Sequence, residues 1–240
     1  TEFSGIRPFI AGDRLRRIHW RTSLRTGELH VVTATAEEDT AVLLLVDALT
    51  DLGDSGGIDG SASSLDTTVR AAGALADHHF RIGDRVGLRV IGSSGQILPA
   101  SAGVRQQRRL LESLARIRPG RPRQLDPSRL QLRIGAGTVV LVLSPMLSAE
   151  VTTLTVMLAR RGLSVVVVDT LPAGALPKGG GDPLSVPRLA WRMRMLEREL
   201  QILEIARTGT PIVSWHGPGT LDEVMRRLSR RARFPRAVSR

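Results

Sequence analysis

The chain has 240 residues, 42% of them hydrophobic, which is enough for one domain with a sizeable core or a domain plus an appended segment, and excludes wholesale disorder. It contains no cysteine, so disulfides, thiolate chemistry and cysteine-ligated metals are excluded. The formal charge is +11, carried almost wholly by arginine because Lys178 is the only lysine. Three sources account for such a bias: GC-rich coding, attraction to an anionic membrane face, and nucleic acid. Aromatics are only 3% and tyrosine is absent, so stacking platforms for single strands are scarce and nucleic acid is the weaker of the partner readings.

Residues 1–39 are polar, arginine-rich and weakly periodic, and are read as a segment preceding the domain at 40–240. Residues 41–46 are continuously apolar and end in Asp47, the pattern of a buried parallel strand. A Gly/Ser/Asp-rich loop follows at 51–64. Leu65, Val69, Ala72, Ala76 and His79 recur at helical spacing, predicting a helix to about residue 80. Residues 86–91 and 96–99 flank Gly92-Ser93-Ser94-Gly95 and read as a hairpin. A helix over 104–117 and a Pro/Arg-rich connector at 118–127 come next.

Alternation then resumes. A strand over 138–143 leads to a helix over 149–161 closed by Gly162, and a buried strand covers 164–169. A long loop at 172–187 contains Gly179-Gly180-Gly181. The helix over 188–207 carries Leu189, Met193, Leu196, Leu200 and Leu203 on one face. A strand over 211–215 and a helix over 221–233, with Asp222 and Glu223 in its first turn, finish the chain. Strands alternating with helices of this length imply βαβ crossovers: an α/β fold with a mostly parallel sheet, helices on both faces and one antiparallel edge strand.

Phosphate-binding loops are missing. Lys178 precedes its glycines without Walker spacing, and Asp47-Ala48-Leu49-Thr50-Asp51 stands where a dinucleotide fingerprint would fall. Gly92-Ser93-Ser94-Gly95 is not a nucleophile elbow, since it sits in a hairpin. His78 and His79 point about 100° apart on a helix and are poorly placed to share a metal. His79 reads as a core histidine, whereas His216 follows the last strand, on the side of a sheet where ligands gather. Asp47 has two readings: an oxygen ligand for Mg²⁺, or a residue that caps its loop or pairs with an arginine.

The densest signature lies at the start: Phe3, Gly5, Arg7 and Phe9, then Gly12-Asp13, Arg17-Ile18-His19-Trp20, Arg25 and Leu29. It resembles the domain-of-unknown-function-58 family, in which such a segment precedes a von Willebrand A-like domain. The resemblance places Asp47 at the start of a D-x-S-x-S metal motif that is degenerate here. Leu49 and Asp51 stand where serines belong, and Ser144-Pro145 where an Asp is expected. Asp51 and Asp54 are the carboxylates near enough in sequence to compensate.

The resemblance implies a membrane-anchored partner of a MoxR-type AAA+ ATPase. Thr1 is no natural start, so the expectation is a fragment whose upstream membrane segments are missing, on the cytoplasmic face of the membrane. No apolar run in the chain approaches the ~20 residues that cross a bilayer. The expected role is that of a non-catalytic binding or scaffold module with no cofactor and no metal; the alternative is a basic nucleic-acid-binding domain. Arg17, Trp20 and Arg25 are expected to pack the first segment onto the domain, with Trp20 largely buried.

Overall fold

The computed structural model describes residues 3–9, 19–34, 41–57, 60–122, 134–135, 137–175 and 185–233. The chain divides into two compact units, Thr1–Asp39 and Thr40–Arg240.

The smaller unit is a β-hairpin with a helix inserted. Strand β1 (Phe3–Pro8) pairs antiparallel with β2 (His30–Ala34), with an irregularity between Phe3 and Gly5. Between them lies the seven-residue helix α1 (Trp20–Thr26), which the weak periodicity of this stretch does not predict. The helix starts because His19 caps it: its Nδ1 accepts from the Thr22 N–H at 3.2 Å. It stops at Gly27, whose φ of 76° is the left-handed C-cap that glycine adopts without a Cβ penalty. Ser23 ties helix to strand, its hydroxyl donating to the His19 carbonyl at 3.0 Å and accepting from the His30 N–H at 2.9 Å.

In the larger unit, β3 (Ala41–Asp47), β4 (Arg85–Ile91), β5 (Ile97–Ser101), β6 (Val139–Ser144), β7 (Ser164–Asp169) and β8 (Ile212–Ser214) form one sheet in the order β5-β4-β3-β6-β7-β8. Every pairing is parallel except β4 with β5. The central strands AVLLLVD, VVLVLS and SVVVVD are apolar almost throughout because both faces are covered. On one face, β3, β4, β6 and β7 pack with α2 (Ser64–Arg81), α3 (Val104–Ala115) and α6 (Leu221–Arg233) through Leu44, Leu75, Leu110, Leu141 and Val224. On the other, α4 (Ala149–Arg160) supplies Val151, Leu154 and Leu158 against Leu45, Val142 and Val167, and α5 (Val186–Arg207) adds Ile205.

The antiparallel edge has its own devices. Proline at position 99 lies inside β5, where an edge strand can spare an N–H. The pairing slips between Val86 and Leu88, and Gly87 sits at the slip: a Cβ there would lie 2.9 Å from the Ala100 nitrogen. At the opposite edge β8 is only three residues long.

The architecture is the von Willebrand A-like α/β sheet expected from the sequence. Trp20, expected to be largely buried, is 62% exposed, and Leu24, one turn on, 82%. The side of α1 that meets β2 is occupied by His19 and Ser23, which leaves the Trp20–Leu24 side turned away from its hairpin.

Candidate functional site

Parallel strands deliver their last residues to one edge of the sheet, and three polar residues arrive there together. Asp47 ends β3, Ser144 ends β6 and Asp169 ends β7, with Ser144 and Asp169 in direct register. Asp47 is 1% exposed. Its Oδ1 accepts from the Leu49 N–H at 3.0 Å and its Oδ2 accepts from the Ser144 hydroxyl at 2.6 Å. Ser144 Oγ in turn accepts from the Met146 N–H at 2.9 Å. That last bond sits in a tight turn: Met146 has φ 57°, the sole non-glycine with positive φ among the described residues.

Burial pushes the Asp47 carboxyl above the usual carboxylate range, opposed by its bonds to Ser144 and Leu49. Arg121 reaches Glu150 at 2.8 Å nearby; the glutamate raises Asp47 a little further and the arginine lowers it.

Asp51 belongs to a different set. Its Oδ1 accepts from the Leu65 N–H at 2.9 Å and from the Ser64 hydroxyl at 3.3 Å, so it serves the N-terminus of α2. Ser63 caps the same helix in a reciprocal box with Asp66. Behind them Thr170 Oγ1 lies 2.6 Å from Thr68 Oγ1, and the Thr68 hydroxyl is spent on the Ser64 carbonyl, so Thr170 is the donor between them.

Could this edge hold a divalent cation? Such an ion needs about six oxygens. Both Asp47 oxygens already accept hydrogen bonds, Asp51 faces α2, and Leu49 is buried in the apolar cluster beneath α4. The Ser144 hydroxyl donates to Asp47 and accepts from the Met146 N–H. These residues do not fit a metal. Among the described residues no three of His, Cys, Asp and Glu gather into a ligand group.

Other candidates lie apart. His216 is exposed at the end of β8, three strands from β3 and so roughly 14 Å across the sheet; its N–H donates to Thr220 Oγ1 at 2.9 Å. His79 is a core histidine, with Nδ1 2.6 Å from the Asp84 carboxylate. Within the signature, Arg7 lies opposite Val31 in the small hairpin, and Trp20 and Arg25 sit at the two ends of α1. Gly12, Asp13, Arg17 and Ile18 lie outside the described residues, as do Lys178 and Gly179-Gly180-Gly181.

Sequence reasoning missed Arg198. From α5 its Nε donates to the Pro145 carbonyl at 2.9 Å and its Nη2 pairs with Asp169, both side chains nearly buried. Arg194, one turn earlier, donates to the Leu147 carbonyl. Two arginines four apart on one helix were the available signal, but such a pair ordinarily reads as a solvated face.

No curated protein matches the chain. A family model, described as a protein of unknown function, DUF58, matches residues 5–195. That span takes in the small hairpin, the sheet through β7 and the first half of α5, so the chain belongs to the DUF58 family.

Proposed function

We propose that this chain is a non-catalytic protein-binding module that works with a MoxR-type AAA+ ATPase as the cytoplasmic part of a membrane-anchored protein. One observation carries the non-catalytic reading: the polar groups at the ligand side of the sheet bond to one another. Asp47, Ser144 and the Leu49 and Met146 amides bond to one another in a buried set in which neither side chain is accessible to solvent.

Above that set the loop after β3 offers a contact surface. It is anchored at both ends, since Leu52 N–H donates to Ser64 Oγ and Ser64 N–H to the Leu52 carbonyl, each at 2.8 Å. Gly56 N–H closes its tip on the Ser61 carbonyl at 2.8 Å. Ends held this way lose little entropy on binding, and loops on a rigid scaffold commonly carry recognition. The loop at 172–187 is a second contact surface in this reading; of it, residues 172–175 and 185–187 are described. Family resemblance supplies the ATPase and the membrane anchor; among the described residues no helix is long and apolar enough to cross a membrane.

The test is capture of partners from the protein's own cells with the full-length protein as bait. Enrichment of a MoxR-type ATPase is expected, weakened when residues 54–60 are replaced by a Gly/Ser linker of equal length while the melting temperature holds. Recovery of nucleic acid instead, falling steeply with salt, would put the basic-domain reading in its place.

A further inference from the structure

Helix α5 sits on its domain the wrong way round. Its inner side presents Arg194, Arg198 and Gln201, bonded to Leu147, Pro145, Asp169 and Thr152, with Ile205 the one buried apolar residue. Its outer side carries Val186, Leu189, Met193, Leu196, Leu200 and Leu203, all exposed, from 41% at Leu189 to 79% at Val186. The intervals between these six alternate between three and four residues along the helix. That is the a/d repeat of a coiled-coil seam rather than the broader stripe of a core helix. A 22-residue helix is about 33 Å long, so the seam is continuous over most of one side.

The charges beside the seam name what covers it. Laid antiparallel against its own copy, the seam closes with Val186 facing Leu203, Leu189 facing Leu200 and Met193 facing Leu196. In that register Arg192 of each helix falls beside Glu199 of the other, twice by symmetry. Both are exposed, and neither has an ion-pair partner among the described residues. A parallel pairing sets Arg192 beside Glu197 but Glu199 against Glu204, so it gains one kind of attraction and suffers one kind of repulsion. Near the end of the seam Leu200 and Leu203 border an open groove of about 610 Å³ with Ala159, Arg160 and Arg207, placed to receive Val186 and Leu189 of the second helix.

We infer that α5 is a self-recognition surface and that two copies of this chain pair through it, helix against helix and antiparallel. The chain, residues 1–240, is expected to sediment as a dimer whose dissociation is concentration-dependent. Leu196→Glu should give a monomer with unchanged circular dichroism and, at dilutions where the natural chain has also dissociated, an unchanged melting temperature, since the site is exposed. The charge exchange fixes the direction. Arg192→Glu and Glu199→Arg should each weaken the dimer about tenfold, and the two together should restore it. In a parallel pair Glu199→Arg alone would instead tighten the dimer, because it turns the repulsion from Glu204 into an attraction; that result would overturn the antiparallel arrangement.

A wild-type chain that stays monomeric at high concentration would overturn the inference. So would a monomer that binds anionic phosphatidylserine vesicles and loses that binding on Leu196→Glu. A dimer indifferent to Leu196→Glu would overturn it as well.

Discussion

Helices α2 and α5 are the two long helices of the larger unit, and both show apolar residues at helical spacing. Helix α2 turns Leu65, Ala71, Ala72, Leu75 and Ala76 into the core and leaves Arg70 and Arg81 outside. Helix α5 does the reverse, bonding its arginines inward and showing its leucines to water. Periodicity therefore reveals that a helix is two-sided but not which side meets the core. The spacing itself separates the two cases: α2 has the broad, alanine-filled stripe that lies close on a sheet, while α5 has the narrow three–four repeat suited to another helix.

The largest expected contrast is between equivalent truncations. Leu75→Ala should cost about 2–5 kcal/mol by opening a cavity in a closed core, while Leu196→Ala, measured by denaturant titration at high dilution, should stay within about 0.5 kcal/mol. Equal losses would mean that the α5 seam is packed in the monomer. Next in size is the attachment of α5. Asp169→Ala leaves the Arg198 guanidinium nearly buried without its partner and should cost about 2 kcal/mol, less than a fully buried pair because both side chains keep some solvent contact. Proteolysis should then cut α5 before any other helix of the larger unit.

The smallest effect belongs to Asp47, and its sign depends on pH. The carboxyl is raised in the folded state, so the stability it contributes is present below the unfolded value and is lost as pH rises through the folded one. Asn at position 47 mimics the protonated form: its oxygen can accept from Leu49 and its amide can donate to Ser144. Asp47→Asn should match the natural protein in acid and gain on it toward neutral pH. A difference in melting temperature that is the same at both would show that burial does not control this group.

Much of the sheet was legible because its chemistry is one-sided. Strands β3, β6 and β7 are buried on both faces and read as unbroken apolar runs ending in Asp47, Ser144 and Asp169. The first 39 residues were not legible as structure. Their strands FSGIRP and HVVTA are short, and α1 depends on a histidine cap and a serine bridging to β2, neither of which leaves a periodic trace. At the sheet edge, position in the strands announced Asp47 and Ser144. Their mutual bond, and the arrival of Arg198 from a helix far along the chain, are long-range facts that no local pattern encodes.

The two rims of the sheet bear on how the protein behaves when crowded. Exposed strand rims invite endless pairing and, with it, fibres. Here one rim carries a proline and a register slip, and the other is a strand of three residues. Backbone-to-backbone growth is blunted at both, and the α5 seam is the longest run of exposed apolar side chains among the described residues of the larger unit. Two copies joined antiparallel across a two-fold axis use that surface up completely. Concentrating this protein should then end in a closed pair in solution and not in a growing aggregate.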